Sequence, residues 1–193
     1  MLLIGCSAER EAPPAVVPTL ETRADSVAMQ LFEAHGGVEA WPAAPYLRFN
    51  FGIEQEGTTR VVARHLWHRA TGDYRLEWSP GPDSQYVALF NVNAFGAAAS
   101  DAAPEAGAVY LNGTAVDSSA HAGLMRQAQQ RFVNDSYWLL APLKVFDPGV
   151  NRAYVADSSD AQHEVLRLTF GEVGLTPGDT YWLYVNTETG LLD

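Results

Sequence analysis

Two histidines three residues apart, His65 and His68, form the first pair of side chains whose types could support chemistry. On a helix this spacing would place both imidazoles on one face, where they could share a metal ion. On a strand, successive side chains alternate between faces, so the two rings point in opposite directions. Because residues 58–69 have the mixed pattern of a long strand, we predict no metal site at this pair.

Two pairs of carboxylates are also close in sequence, Glu54 with Glu56 and Asp157 with Asp160. Acid–base catalysis by two carboxylates requires a cleft that separates their pKa values, which turn residues on a solvated face do not provide. The sequence contains no Gly-x-Ser-x-Gly or Ser-x-x-Lys motif and no glycine-rich phosphate loop. We therefore predict that the protein is not an enzyme and needs no cofactor. An acid–base hydrolase would require His65 or carboxylates to converge in one cleft.

Composition narrows the class of protein further. The 193 residues carry 12 Lys and Arg against 23 Asp and Glu, a formal net charge of −11, and the length fits one domain. An excess of acid argues against nucleic acid as a partner, because the phosphates would be repelled. The single cysteine, Cys6, excludes an internal disulfide framework and any thiolate-rich metal site.

That cysteine lies in the segment Leu3-Ile4-Gly5-Cys6, which resembles the lipobox of bacterial lipoproteins. The resemblance implies that Cys6 is lipidated and becomes the mature N-terminus. A signal peptide should have a basic region and an apolar run of about 7–15 residues, but only five residues precede Cys6. We therefore expect residues 1–20 to be a truncated lipoprotein signal followed by a Pro-rich tether. The alternative is a frayed apolar N-terminus with a free thiol.

The residue after the cysteine bears on localisation. Ser7 stands where an aspartate retains lipoproteins at the inner membrane in many Gram-negative bacteria. The resemblance therefore implies an outer-membrane lipoprotein of the bacterial cell envelope that faces the periplasm. No other segment has the ~20 apolar residues that span a bilayer, so attachment would be by lipid alone.

Helical periodicity predicts the two main elements that must position the remaining side chains. Residues 22–35 begin with capping-box spacing at Thr22 and Asp25 and end before a glycine pair. A second helix is predicted over residues 118–139, with Asn134-Asp135 as a candidate break.

About eight strands are predicted around these helices, and strand follows strand, which favours an antiparallel sheet. Asn112-Gly113 is a type I′ hairpin signal. The turn at 187–190 has only three residues after it, so we expect C-terminal strands to be missing. The predicted fold is α+β. A curved antiparallel sheet forms an open half-barrel over residues 21–193, with two main helices packed on its concave face.

Aromatic side chains are the remaining signal, since the chain has 5 Trp, 8 Tyr and 8 Phe. Many of them fit an ordinary core, but a curved sheet can also leave a cavity at its concave face that large rings would line. The predicted lining residues are Phe49, Phe51, Trp67, Trp78, Phe90, Phe132, Trp138 and Trp182.

Several short motifs resemble those of a group of uncharacterised bacterial outer-membrane lipoproteins that look similar to the lipoprotein-carrier (Lol-type) half-barrel. They are His35-Gly36-Gly37 with Trp41, the strand at 47–54, the segment 137–144, Asp147-Pro148-Gly149 and the segment 181–185. Carriers of this fold bind lipid or acyl chains in the half-barrel, although a fold alone does not transfer a function.

The leading hypothesis is thus a lipid-anchored, monomeric envelope protein that binds a lipid, a lipoprotein acyl chain or another apolar ligand in a half-barrel cavity. The alternative is an envelope interaction or scaffold protein without a ligand cavity. An acid–base hydrolase is the least supported of the three.

Overall fold

The computed structural model describes residues 20–94, 107–171, 174–176 and 178–193. Cys6 and the tether as far as residue 19 lie outside the described residues. The helices are α1 (Arg23–Ala34), α2 (Gly37–Ala43) and α3 (Ser118–Lys144). The strands are β1 (Tyr46–Gln55), β2 (Thr58–His68), β3 (Asp73–Gly81), β4 (Ser84–Asn91), β5 (Ala108–Leu111), β6 (Thr114–Ala115), β7 (Val150–Tyr154), β8 (His163–Phe170) and β9 (Thr180–Asn186).

The predicted α+β class with antiparallel strands is confirmed. Strands β1 to β6 form a six-stranded sheet in sequence order, which we call the large sheet, and β7 to β9 form a three-stranded small sheet. All pairs in both sheets are antiparallel. Neither sheet closes into a barrel within the described part of the chain. The strands thus divide between two sheets where the sequence suggested one.

The large sheet is a meander because its turns have the backbone conformations that tight hairpins require. Asn112 and Gly113, between β5 and β6, both have positive φ, of 50° and 83°. This is the pattern of a type I′ turn, whose twist matches that of the flanking strands, so the hairpin predicted there is confirmed. Side chains then alternate along each strand. The face towards α3 is here called the inner face.

The long helix α3 covers the inner face of the large sheet. Asp117 caps it by accepting hydrogen bonds from the backbone N–H groups of Ser119 and Ala120. The helix continues through Asn134-Asp135 and through Pro142, beyond the predicted end at residue 139. Its apolar stripe continues as well, since Leu140, Ala141 and Val145 are buried. This burial outweighs the backbone hydrogen bond that Pro142 removes from the last turns.

The first helix covers the small sheet. The predicted capping box is present, because the side chains of Thr22 and Asp25 each accept a hydrogen bond from the other residue's backbone. The buried face of α1 packs with β7, β8 and β9 in one apolar cluster. After the turn at 187–190, Leu192 forms a bridge with Val185, so the chain returns briefly along β9. The two main helices therefore cover two different sheets.

Candidate functional site

Six of the eight predicted lining residues lie on the inner face of the large sheet or on the helix α3 that covers it. Phe49 and Phe51 are on β1, Trp67 on β2, Trp78 on β3, Phe90 on β4, and Phe132 reaches the sheet from α3. The space between them is filled by the rings themselves. The Phe132 ring lies edge-on to Trp67, Tyr74 and Phe90, with centroid distances of 5.3, 4.8 and 6.4 Å.

The other two predicted residues lie elsewhere. Trp138 projects from α3 with 51% of its surface exposed and meets the Tyr181 ring edge-on at 4.7 Å. Trp182 is also 51% exposed, whereas Leu183 and Val185 on the same strand point inward and are buried. Strand alternation therefore places Trp182 on the outer face of the small sheet, away from the other rings.

A polar group that the sequence did not reveal lies inside this aromatic core. The side chain of His65 is 0% exposed, and that of Asp135 is 3% exposed. The Tyr74 hydroxyl lies 2.7 Å from Nδ1 of His65, and an Asp135 oxygen lies 3.2 Å from Nε2. The latter two atoms are not aligned as a regular hydrogen bond. The Phe49 ring stacks on the imidazole at 4.3 Å.

The spacing of residues along α3 explains why Asp135 lies on the buried face of this helix. Met125, Ala128, Phe132 and Asp135 follow one another at spacings of three, four and three residues, which places all four on one helix face. A carboxylate in line with an apolar stripe is the signal that could have identified this group. On β2, alternation places His65 inside and His68 outside, as predicted.

The chemistry of this network is that of a fixed internal contact. Burial raises the pKa of the Tyr74 hydroxyl, and the negative charge of Asp135 raises it further. The phenol therefore keeps its proton and can donate it in the hydrogen bond with Nδ1 of His65. His65 does meet a carboxylate, but both side chains lie within the core rather than in a cleft. The pair joins the middle of α3 to β2 and β3.

A cavity of about 280 Å³ lies between the second half of α3 and the small sheet. Aromatic rings form part of its wall: Tyr137 and Tyr181 each pack edge-on against Phe170, at 5.3 and 5.2 Å. Lys144 and Asp147, which form a partly exposed ion pair, also line it. The remaining lining residues are Val133, Asn134, Ser136, Pro148, Val150, Gly174, Leu175 and Thr176.

Polar and apolar side chains share the lining of this cavity. The Tyr137 hydroxyl is buried and makes no hydrogen bond with any described residue. Burial raises its pKa, and the nearby Asp147 carboxylate raises it further, so the phenol stays protonated. The cavity thus combines an aromatic wall with an ion pair and the polar residues Asn134, Ser136 and Thr176, a pattern that suits a small amphipathic molecule.

Two further observations concern metal and membrane. Within residues 20–94 and 107–193, as far as they are described, no group of three or more His, Cys, Asp or Glu side chains is arranged to hold a metal ion. Of the three helices in the described part of the chain, none is long and apolar enough to cross a bilayer.

Comparison with known proteins finds no matching protein family, no matching curated protein and no matching solved structure. The similarity to the Lol-type carriers accordingly stays a prediction, and functional arguments must come from the molecule itself.

Proposed function

We propose that this protein binds an acyl chain or another small apolar ligand in the cavity between α3 and the small sheet. The observation that carries the proposal is the cavity itself, which is walled largely by Val133, Tyr137, Phe170 and Tyr181. Burying apolar surface contributes roughly 25 cal/mol per Å², so an acyl segment would gain free energy by leaving water for this wall.

The volume restricts the ligand. Pockets for small molecules usually measure about 300–1,000 Å³, and this cavity lies just below that range. It therefore suits one short chain segment rather than a two-chain lipid. The Lys144–Asp147 ion pair would remain beside the polar end of such a ligand, where both charges keep contact with water.

The cellular setting of the proposal comes from Cys6. With a lipid on Cys6 and a Pro-rich tether, the domain would stay close to the outer membrane and face the periplasm, where acyl chains are abundant. The place of the cavity differs from the one expected, because the aromatic inner face of the large sheet is occupied by α3.

The test is titration of the full-length protein with a fluorescent single-chain fatty acid, alongside native mass spectrometry of the purified protein. Val133→Trp should fill the cavity and weaken binding at least tenfold. Val38→Trp is the matched control, since Val38 is 54% exposed on α2. Unfolding curves verify that both variants fold. Absence of binding by the natural chain, or equal binding by a folded Val133→Trp variant, would contradict the proposal.

The alternative is an envelope scaffold without a ligand. The exposed aromatic rings of Trp182 and Tyr184, on the outer face of β9, favour it. In that case the purified protein contains no lipid other than the one attached to Cys6. Trp182→Thr would then weaken assembly with an envelope partner, whereas Val133→Trp would leave assembly unchanged.

A further inference from the structure

The outer face of the large sheet, opposite α3, has a charge that contrasts with the rest of the molecule. Arg48, Arg64 and Arg75 point outward from β1, β2 and β3, and Arg60 lies where the β1–β2 register shifts. We call this surface the arginine face. It holds four of the 12 basic residues of a chain whose net charge is −11, beside three carboxylates, so its formal charge is slightly positive.

The strand register brings three of these arginines around one leucine. Arg48 pairs with Leu66 across β1 and β2, and Leu66 pairs with Arg75 across β2 and β3. Arg64 lies two residues before Leu66 on the same face of β2. Directly opposite and diagonal positions have Cβ atoms about 4.5–8 Å apart, so the three arginine side chains lie close to one another and to Leu66.

Carboxylates on this face neutralise only part of that charge. Arg75 donates a hydrogen bond to Glu77 at 2.8 Å, and Glu77 also lies across from Arg64. Asp73, at the end of β3, accepts hydrogen bonds from Thr71 and Asn91. Glu54 lies at the far end of β1.

The other three arginines make no ion pair with these carboxylates. Among the described residues, Arg48, Arg60 and Arg64 form no ion pair, whereas Arg23, Lys144 and Arg152 elsewhere each pair with one. Like charges held close together without counter-ions destabilise a protein unless an anion compensates them.

Exposed apolar side chains are interleaved with the arginines. Val62, Leu66 and Leu89 are 36%, 41% and 38% exposed, and Tyr46 at the end of the face is 61% exposed. Leu66 and Leu89, together with Arg75 and Tyr46, line an open hollow of about 410 Å³ on this surface. The face thus presents cations and short apolar side chains on one sheet.

We propose that the arginine face docks on an anionic phospholipid bilayer. Guanidinium groups form paired hydrogen bonds with phosphate, and the leucines can enter the interfacial layer between headgroups. An acidic polymer or protein would satisfy the charges but would leave Leu66 and Leu89 without an apolar environment, which is why a bilayer is favoured. The acidic remainder of the molecule would be repelled by the same surface, so the protein would bind in one orientation. This proposal is independent of the cavity.

The experiment is vesicle co-sedimentation of the full-length protein carrying Cys6→Ala, so that no lipid anchor contributes. Vesicles of phosphatidylcholine with 30 mol% phosphatidylglycerol, used as the anionic probe, are compared with phosphatidylcholine alone. We expect binding to the anionic vesicles that decreases with salt. An arginine near an anionic surface contributes about fivefold in affinity, so Arg48→Gln with Arg64→Gln should weaken binding about 25-fold.

Two further variants distinguish docking by the arginine face from a general effect of positive charge. Arg126→Gln with Arg167→Gln removes the same charge from exposed positions on α3 and β8 and should leave binding nearly unchanged. Leu66→Ser should weaken binding without any change in charge. The proposal is overturned if the control pair loses as much affinity as the face pair, if neutral vesicles bind equally, or if Leu66→Ser has no effect while soluble polyglutamate displaces the protein.

Discussion

The two sheets are covered by helices in different ways, although each helix buries a similar stripe of small and apolar residues. Between α3 and the large sheet the core is aromatic, with Tyr74, Trp78 and Phe90 almost completely buried around a histidine–aspartate pair. Between α1 and the small sheet the buried core is aliphatic, exemplified by Leu31 and Leu168. The ion pairs of the α1 region, Arg23–Glu164 and Arg152–Asp25, are partly exposed.

This difference shows that large rings do not by themselves indicate a cavity. The rings of the large sheet fit edge to face, and Phe132 fills the space that a ligand would need. The cavity occurs instead where α3 passes from one sheet to the other, beside Tyr137 and Phe170. A helix that serves two sheets cannot fit both equally closely.

The buried pair of His65 and Asp135 provides the strongest test of the difference between the two cores. Asp135→Leu leaves the buried His65 ring without its carboxylate partner, and removing one member of a buried pair costs about 4 kcal/mol. The free energy of unfolding, measured in urea, should fall by about this amount. The double variant with His65→Leu should lose less than the sum of the two single changes. Strict additivity would show that the two residues do not interact.

The next largest effect is expected when the Phe132 ring is removed from the centre of the aromatic core. Phe132→Ala should lower the free energy of unfolding by about 3 kcal/mol, since a large side chain is deleted and the surrounding rings relax only partly. The variant should also create an apolar cavity at the inner face that takes up xenon or benzene, detectable by NMR shifts. Trp138→Ala, at an exposed position on the same helix, is the control. A variant without probe binding would indicate that the core collapses.

The sequence supported local features better than long-range ones. Periodicity and capping residues identified α1, α3 and the strand alternation that separates His65 from His68, because these depend on neighbours in the chain. The contact between His65 and Asp135 joins residues 70 positions apart, and nothing near either residue specifies the other.

The end of α3 and the position of Trp182 were predicted wrongly for the same reason. Asn134-Asp135 and Pro142 are poor helix residues in isolation. Helix α3 nevertheless passes through both, because Asp135 contacts His65 and Leu140 is buried in the core. Likewise, alternation on β9 could be predicted, but which face is covered depends on α1, so Trp182 was assigned to the interior. Tertiary burial decided each case.

The cap of α1 should give a smaller, pH-dependent effect. The hydrogen bond from the Thr22 side chain lowers the pKa of Asp25 below its ordinary 3.8, and Arg152 adds to this. Stability from a lowered carboxyl pKa is present above the unfolded value and is lost as pH falls through the folded value. Asp25→Asn should therefore cost about 1 kcal/mol at pH 7, and the difference from the natural chain should vanish as the solution is acidified below the folded pKa.

Urea unfolding of both proteins across this acidic range measures that difference. Asp83→Asn, which removes one charge from an exposed turn, controls for net charge. If the difference between Asp25→Asn and the natural chain persists at the acidic end of the range, the cap is held by shape rather than by the ionised carboxylate.

The smallest effect is expected at the outer face of the small sheet. Trp182→Thr replaces a half-exposed ring by a residue that strands accept, so the free energy of unfolding should change by no more than about 0.5 kcal/mol. Fatty-acid affinity should also be unchanged, because Trp182 points away from the cavity. The same substitution at Trp78, which is 3% exposed, provides the contrast. If Trp182→Thr destabilised the protein as strongly as Trp78→Thr, the outer face of the small sheet would be a covered surface, unlike the outer face of the large sheet.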